Sequence, residues 1–334
     1  MLACVGVLIW IPLGQGIGWL ISWPVRYVLW VAGWLAEFPL AAVYTDSIYI
    51  FAWIVIAYLM LAVFFVTKKK HPGLTVLAVL VTFLISIGLS WLEPQLDDIR
   101  VSVIDVGQGQ SILIQQKEET YLVDCGGSHT GVTADTVANY LLSQGIFSLD
   151  GVILTHYDAD HAGSVLDLLT SVDADKIYMP DVIDSNGIRD SIEMRYPEKV
   201  SLIADAVTLE LDSGKFTLYP ADFTVDDNES SLCVLFQAEN CDILITGDRS
   251  SAGERTLLKQ VDLPKLELLI AGHHGSHTAT SADLLYATRP TAVAISVGKN
   301  NRYGHPRQEM LDRLSRFGCE VYRTDLQGTI LFRR

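Results

Sequence analysis

The sequence predicts a two-part protein: about three transmembrane helices, then an α/β domain in which two sheets are covered by helices. Three observations carry this. The chain has 334 residues, 50% of them hydrophobic, yet a formal charge of −15. The charge is unevenly placed: 20 of the 24 basic and 37 of the 39 acidic residues follow position 92, a net of −17 there. After that position, short β-rich runs alternate with helical patterns, the order that packs helices onto sheets. This second part is long enough to bury its own core. The composition excludes wholesale disorder, a collagen-like chain and a disulfide-stapled miniprotein.

The apolar third is expected to span a membrane. Residues 48–66 and 74–92 are each 19 residues long without a charge, close to the roughly 20 that cross a hydrocarbon core. Between them Lys68, Lys69, Lys70 and His71 form a basic turn, which the positive-inside rule places in the cytoplasm. The chain then leaves the cytoplasm through 74–92, and everything from Glu93 onward is expected outside it. Residues 2–20 are the third candidate span, interrupted by Pro12, Gly14, Gly16 and Gly18. They lack the basic leader and the small-residue cleavage site of a signal peptide. If they span, residues 21–47 lie outside, with Trp23, Tyr27, Trp30 and Trp34 near the interface. This portion reads as an anchor or as the tail of a larger membrane domain. The expected division is 1–92 membrane helices, 93–100 linker and 101–334 soluble domain.

In the soluble part, 101–106, 111–115 and 121–124 read as strands. A helix is expected over 133–144, stopped by Gly145. A strand over 151–154 runs into the first histidine motif, and a helix resumes at 163–169. Residues 231–236 and 242–246 read as a hairpin about Ala238, Glu239 and Asn240. Strands at 266–270, 292–297, 319–322 and 329–332 and a helix at 308–317 complete the pattern. Register about residue 239 places Cys233 opposite 245, so no disulfide with Cys241 is expected; the five cysteines show no zinc-type pairs. Cys125 is expected to pack in the core.

The chemistry gathers at the ends of these strands. In THYDADHAG, at 155–163, His156, Asp158 and Asp160 alternate along an extended loop and can converge on one side. His161 adds a fourth donor. Imidazoles and carboxylates suit zinc, manganese or iron, and so many donors exceed one tetrahedral ion but not two. Asp248, after an apolar strand in ITGD, is placed to bridge two metals, although TGD alone equally describes a turn. His273 and His274 in AGHHGS cannot both face one point from extended backbone, so one is expected as ligand or acid and the other as a packing residue. His305 in YGHP is a further donor, with Pro306 expected at the first position of the last helix. His129 reads as a surface histidine. These motifs are what two-metal hydrolysis of phosphodiesters requires, in which two cations a few ångströms apart activate a water and stabilise charge on the phosphoryl group.

Residues 100–334 resemble the metallo-β-lactamase superfamily, in the branch attached to ComEC-type DNA-uptake proteins. The resemblance rests on IDVGQGQS at 104–111, LVDCGG at 122–127, LTHYDADHAGS at 154–164, DNESSLCV at 227–234, ITGD, HHGS and YGHP. It implies an αββα sandwich. It also implies metal ligands at His156, Asp158, Asp160, His161, Asp248 and His305, and a catalytic or ligating role for Asp160 and for one of His273 and His274. Asp105, Gln108, Asn228 and Ser231 fall near the implied site. Asn228 stands near where many members carry another histidine, and no histidine lies between 162 and 272. That leaves an oxygen-rich site as suited to Mn²⁺ as to Zn²⁺. Gln110 replaces the acid of the family's GQGDA or GQGDS.

The expected activity is therefore a membrane-anchored, extracytoplasmic two-metal phosphodiesterase acting on single-stranded DNA during natural transformation, beside other uptake proteins. In it, Asp160 and Asp248 orient the attacking water and a histidine of the HHGS pair protonates the leaving oxygen. The alternatives are a channel component whose domain docks or gates, and a hydrolase of another substrate, since fold does not set substrate. A −17 domain repels DNA as a whole; Arg249, Arg255, Lys299, Arg302 and Arg307 are the cations expected to line a substrate path.

Overall fold

The structure, a computed structural model, describes residues 10–36, 45, 47–67, 72–221 and 228–334. It divides into two compact units, Met1–Thr45 and Asp46–Arg334. The described element of the first unit is the helix Ile11–Ala36. Among the described residues two helices have the length and apolarity to cross a membrane: Ile48–Thr67, 20 residues of mean hydropathy 2.6, and Pro72–Leu92, 21 residues of mean hydropathy 2.3.

The expected third span at 2–20 is not recovered as an element. Residues 2–9 lie outside the described residues, and the helix from Ile11 runs on through Trp23, Tyr27, Trp30 and Trp34, which had been expected beyond the span. Pro12 does not break this helix because it falls in the first turn, where an N–H has no intrahelical partner anyway. Lys68, Lys69, Lys70 and His71, which carry the topology expectation, also lie outside the described residues. The helices Ile48–Thr67 and Pro72–Leu92 pack on each other. The Trp53 ring sits 4.4 Å from that of Phe83 between centroids, and its Nε1 donates to the Val79 carbonyl at 3.1 Å. The indole N–H is thereby satisfied within the helix pair.

Residues 93–100 are not a free linker. Glu93–Leu96 forms a turn of 3₁₀ helix, and the first strand already begins at Ile99. Arg333 reaches back to Glu93 at 2.7 Å and to Asp97 at 3.7 Å.

The strands, in chain order, are β1 Ile99–Val103, β2 Ile112–Gln116, β3 Glu119–Val123, β4 Ser148–Ile153, β5 Asp173–Pro180, β6 Val200–Ile203, β7 Val207–Glu210, β8 Gly214–Tyr219, β9 Cys233–Ala238, β10 Cys241–Ile245, β11 Leu268–Ile270, β12 Ala292–Ile295, β13 Glu320–Arg323 and β14 Ile330–Arg333. They form two seven-stranded sheets, ordered β14-β1-β2-β3-β4-β5-β6 and β13-β12-β11-β10-β9-β8-β7. Each sheet is antiparallel at one end and parallel at the other, with β3 to β6 parallel in the first and β10 to β13 parallel in the second. The last strand returns to pair with the first, Val101 opposite Phe332.

Three hydrophobic layers make this an α/β/β/α sandwich. Between the sheets, Val101, Ile114 and Val123 meet Phe216, Phe236 and Ile245. Outside the first sheet, Leu113, Leu122 and Val152 meet Val137 and Leu141 of the helix Thr130–Ser143. Outside the second, Leu244, Leu269 and Val293 meet Leu284, Leu285, Met310 and Leu314 of the helices Ala282–Thr288 and Gln308–Phe317. Neighbouring side chains on β2, Ile112, Leu113 and Ile114, therefore enter different layers and are all buried. This is why the central strands read as unbroken apolar runs rather than alternating ones. Phe236, with its ring 5.0 Å from that of Phe216, sits at the inter-sheet core; truncating such a residue to Ala costs about 3–5 kcal/mol.

Local expectations hold where turn chemistry is explicit. The hairpin forms, with Asn240 at φ 62° as a tight turn requires, but its register is one residue from the expected one: Cys241 pairs with Ala238 across Glu239 and Asn240, which sets Ile245 opposite Val234 rather than Cys233. Gly145, at φ 78°, follows the capping residue Gln144. Cys125, Cys233, Cys241 and Cys319 are free thiols, and Cys125 is fully buried. Pro306 lies two residues before Gln308, outside the helix Gln308–Phe317 rather than at its first position, and a short helix Thr324–Gln327 follows later.

Candidate metal centre

The parallel strands deliver the site. β3, β4, β10 and β11 all finish at one edge of the sandwich, and the segments that follow them carry Asp124, His156–His161, Asp248 and His273–His274. Carboxyl ends of parallel strands are where α/β folds place ligands. The loop after β4 is seated by backbone contacts: Gln110 N donates to Asp160 O at 2.9 Å, and Cys125 N to His161 O at 2.7 Å. Gly126 permits this approach, since a Cβ there would come 2.2 Å from His161 N.

The donors converge. His156 Nε2 is 3.7 Å from Asp158 Oδ2. His161 Nε2 is 3.1 Å from Asp248 Oδ1 and 3.2 Å from His274 Nε2. His274 Nε2 is 3.3 Å from Asp160 Oδ2, and His273 Nε2 is 3.6 Å from Asp248 Oδ2. Two groups are compact enough to hold an ion: His156, His161 and Asp248, and Asp160, His161 and His274. His305 is in neither; it is half-buried, with its ring 5.7 Å from that of His273.

The pair His273–His274 departs from the extended backbone expected of it. Both residues are left-handed, at φ 50° and 53°, within a 3₁₀ turn Gly272–Gly275. That curvature lets both imidazoles approach the carboxylates, one facing Asp248 and the other Asp160. His274 Nδ1 donates to the Ser296 carbonyl at 2.9 Å, which leaves Nε2 as its free lone pair.

Asp124 contacts the donor cluster, a position the sequence reading missed. It is fully buried, at φ 61°. Its Oδ2 accepts from His161 Nδ1, Gln110 Nε2 and Thr155 Oγ1, each at 2.8 Å, and its Oδ1 accepts from Thr155 N at 2.7 Å. A carboxylate can only accept, so the His161 proton resides on Nδ1 and Nε2 faces the cluster. Asp124 closes the LVDCGG motif, an acid at the end of an apolar strand, and that position was the available signal.

Electrostatics treat the donors differently: His156 is held neutral, whereas His161 is held protonated and would give up its Nε2 proton to an ion. Burial pushes His156 down to about 4, helped by neighbouring His161, so its imidazole is neutral at pH 7. Burial would lower His161 too, but Asp248 and Asp124 raise it well above its ordinary value. Burial opposes the Asp248 charge, yet His161 and His274 hold it well below the usual carboxylate range. Asp160 is likewise lowered against burial, by His274 and His161. His305 is lowered to about 4 by burial and by His273 and His274.

The cluster passes a test for metal. His156 Nε2 and Asp248 Oδ1 are buried atoms without a hydrogen-bond partner; although Asp248 Oδ1 has His161 nearby, the contact lacks hydrogen-bond alignment. Buried groups left this way cost about 1–3 kcal/mol each, and a cation among imidazole nitrogens and carboxylate oxygens would satisfy both.

The remaining expected residues organise loops. Ser231 Oγ accepts from Asp248 N at 3.1 Å and donates to the Asn228 carbonyl at 2.7 Å. Gly247, at φ 56°, packs against Ser231 to allow this. Gln108 Oε1 accepts from Gly298 N at 3.2 Å, and Asp105 Oδ1 from Gly107 N at 3.1 Å. Arg249 is buried: its guanidinium donates to the carbonyls of Ser231 at 2.6 Å and Tyr219 at 2.9 Å. It is a structural residue and does not line a substrate path. A cleft of about 820 Å³ opens beside Asp160, walled by residues 105–108 and 127–129 on one side and 298–303 on the other. His129, Lys299 and Arg302 line it; Arg255 and Arg307 do not.

Residues 104–299 match the family model described as the metallo-beta-lactamase superfamily. Among curated proteins, ComE operon protein 3 of Bacillus subtilis is 30% identical over 253 residues, covering 70% of this chain and 33% of its own length. Competence protein ComA of Neisseria gonorrhoeae is 29% identical over 329 residues, covering 96% of this chain and 43% of its own. The chain thus spans less than half the length of these relatives. Among solved structures, the metallo-beta-lactamase fold protein YhfI from Bacillus subtilis superposes with a TM-score of 0.50 at 17% identity, covering 71% of this chain and all of that one.

Proposed function

The chain belongs to the metallo-beta-lactamase superfamily, with ComEC-type competence proteins as curated relatives, and from that premise we propose that it is a two-metal phosphodiesterase acting on incoming single-stranded DNA. The observation that carries this is the buried donor cluster, two compact groups meeting at His161 with orphaned atoms on His156 and Asp248. His156, His161 and Asp248 would hold one ion and Asp160, His161 and His274 the other; the groups share His161, whose single available nitrogen would serve one ion at a time, and Asp158, expected as a ligand, belongs to neither. His305 stays outside both groups, so its expected role as a terminal ligand passes to His274.

Two bound divalent cations, zinc or manganese, would supply an activated water and offset charge on the phosphoryl oxygens. The protein's own groups do the rest. Asp124 holds His161 by its Nδ1 proton, and Ser231 fixes the backbone of Asp248, so the donors keep their geometry without reorganising. Asp160, partly exposed at the cleft, faces the substrate side and orients the water. His273, near the Asp248 carboxylate and 31% exposed, is the proton carrier for the leaving oxygen at Nε2.

The two apolar helices support a multi-pass protein of the inner membrane with the hydrolase domain outside the cytoplasm, working with other DNA-uptake proteins. An alkaline phosphatase fusion after Arg334 would be active in that topology and inactive in the inverse one. The catalytic test is direct: the full chain in detergent, given Mn²⁺ or Zn²⁺, cleaves a labelled single strand, and Asp160→Ala does not. Cleavage at the wild-type rate by Asp160→Ala would remove the assignment.

A further inference from the structure

The cleft beside Asp160 has one wall unlike the rest of the domain. The loop 298–303 contributes Lys299 and Arg302, its two cationic lining residues, and neither forms an ion pair with a described residue. The acids of this cleft, Asp105 and Asp160, lie off the loop, so in a region where acids outnumber bases by 17 the 298–303 wall itself carries only cations. Tyr303 lines the same wall. Its ring lies 6.0 Å from the His305 ring at 27°, and it remains 44% exposed. The Arg302 guanidinium lies 5.1 Å over the same ring and donates to the Tyr303 hydroxyl at 3.0 Å.

The loop is anchored rather than loose. Gly298 N donates to Gln108 across the cleft, and a Cβ on Gly298 would meet Gln108 N at 2.6 Å. Asn301 Nδ2 donates to the carbonyls of Gly298 at 2.9 Å and His305 at 2.7 Å, and its Oδ1 accepts from His305 N at 3.0 Å. The cations and the aromatic ring are thus presented from a braced turn.

Given the phosphodiesterase reading above, on which this rests, we infer that the 299–303 wall is the strand-gripping surface: Lys299 takes a backbone phosphate, the exposed Arg302 leaves the Tyr303 ring for another, and the ring face it vacates takes an unpaired base. Cations that follow a backbone, interleaved with an aromatic platform, are how sequence-tolerant single-strand grooves are built. Stacking on Tyr303 requires a base face that stacking within a duplex covers. The cleft volume, at the upper end of the roughly 300–1,000 Å³ of small-ligand pockets, together with its open mouth, suits a segment of polymer.

The test measures binding apart from cleavage. The full chain in detergent, with EDTA, is titrated against a fluorescein-labelled dT15 strand by anisotropy at several salt concentrations. Lys299→Ala and Arg302→Ala each weaken binding and flatten the logarithmic salt slope by about 0.7, the share of one phosphate on a single strand. Tyr303→Ala weakens binding about tenfold with the slope unchanged, Tyr303→Phe restores it, and an abasic strand shows no effect of Tyr303→Ala. Wild-type affinity and slope in all three alanine variants, or equal binding of duplex and single strand, overturns the inference. Wild-type cleavage of the strand with Mn²⁺ is scored separately. Its absence, with the variant pattern intact, removes the hydrolase reading and leaves the groove. Its presence, with variants binding normally, removes the groove and leaves the hydrolase.

Discussion

His161 Nδ1 lies 2.8 Å from Asp124 Oδ2, and both side chains are completely buried. The contact turns His161 Nε2 toward Asp248 and His274. Asp124→Asn removes the charge that fixes this tautomer. It should weaken metal binding by about 10- to 100-fold, as loss of an outer carboxylate does at comparable sites. Asn keeps the backbone, because Asn and Asp tolerate the left-handed φ of 61°; Asp124→Ala adds strain and should also unfold more readily. Calorimetric titration of Mn²⁺ into each variant checks this, and wild-type affinity in Asp124→Asn would refute the role given to the carboxylate.

Metal should stabilise the fold. The buried His156 Nε2 and Asp248 Oδ1 are unsatisfied without an ion, so a cation that binds only the folded state shifts the equilibrium by mass action. At a hundredfold excess over Kd this is about 2.7 kcal/mol, or roughly 5–10 °C in midpoint for a domain of this size. His156→Ala and Asp248→Ala should lose most of the gain. A scan of the full chain in detergent with and without Mn²⁺ reads it; coincident midpoints for the wild-type chain would argue that no ion binds there.

Legibility in the sequence followed locality. His156, Asp158, Asp160 and His161 are visible because they share one loop. Asp124 is quoted within its motif, but its partner stands 37 positions later, and nothing in one sequence signals that distance. β5 to β8 escape notice for a different reason. β5 carries Asp173, Asp175 and Lys176 on exposed positions, while β6 and β7 are short outer strands with few buried side chains. Their apolar signal is thin. The helices Ser251–Gln260 and Ala282–Thr288 do carry serine caps, Ser250 and Ser281, which a closer reading of N-cap chemistry would find. The conformation of His273 and His274 was not legible, because left-handed φ in two consecutive non-glycine residues runs against local preference.

Gln110 tests how much negative charge the centre tolerates. Its amide donates to Asp124 Oδ2 at 2.8 Å in a fully enclosed position. Gln110→Glu sets a second carboxylate against Asp124, and two buried acids at that distance cannot both ionise freely. The variant should lose about 1–3 kcal/mol at pH 8 and recover part of it at pH 5, where one proton can be shared. Urea midpoints at the two pH values measure this; stability equal to wild type at pH 8 would show that the amide contact carries no weight.

Glu254 supplies a pH dependence away from the metal centre. Its side chain is fully buried in the helix Ser251–Gln260, and its oxygens accept from Thr280 N at 2.6 Å and Ser281 N at 2.8 Å. Burial raises it from 4.5 to about 7, against the pull of those two donors and of Arg313. A folded pKa above the unfolded one means the fold prefers the protonated acid. The associated stability is complete below about pH 4.5 and is lost as pH rises through about 7, with an upper bound on the order of 3 kcal/mol. Glu254→Gln stays neutral throughout. It should be less stable than wild type at pH 5, since its NH2 group must face one of the two backbone donors that the two carboxyl oxygens now accept from, but it should lack the decline between pH 5 and 8. The decisive quantity is the difference in unfolding free energy between wild type and Glu254→Gln at those two pH values. If that difference does not change with pH, burial does not set the protonation of Glu254 and the anchoring of Thr280 and Ser281 is independent of pH.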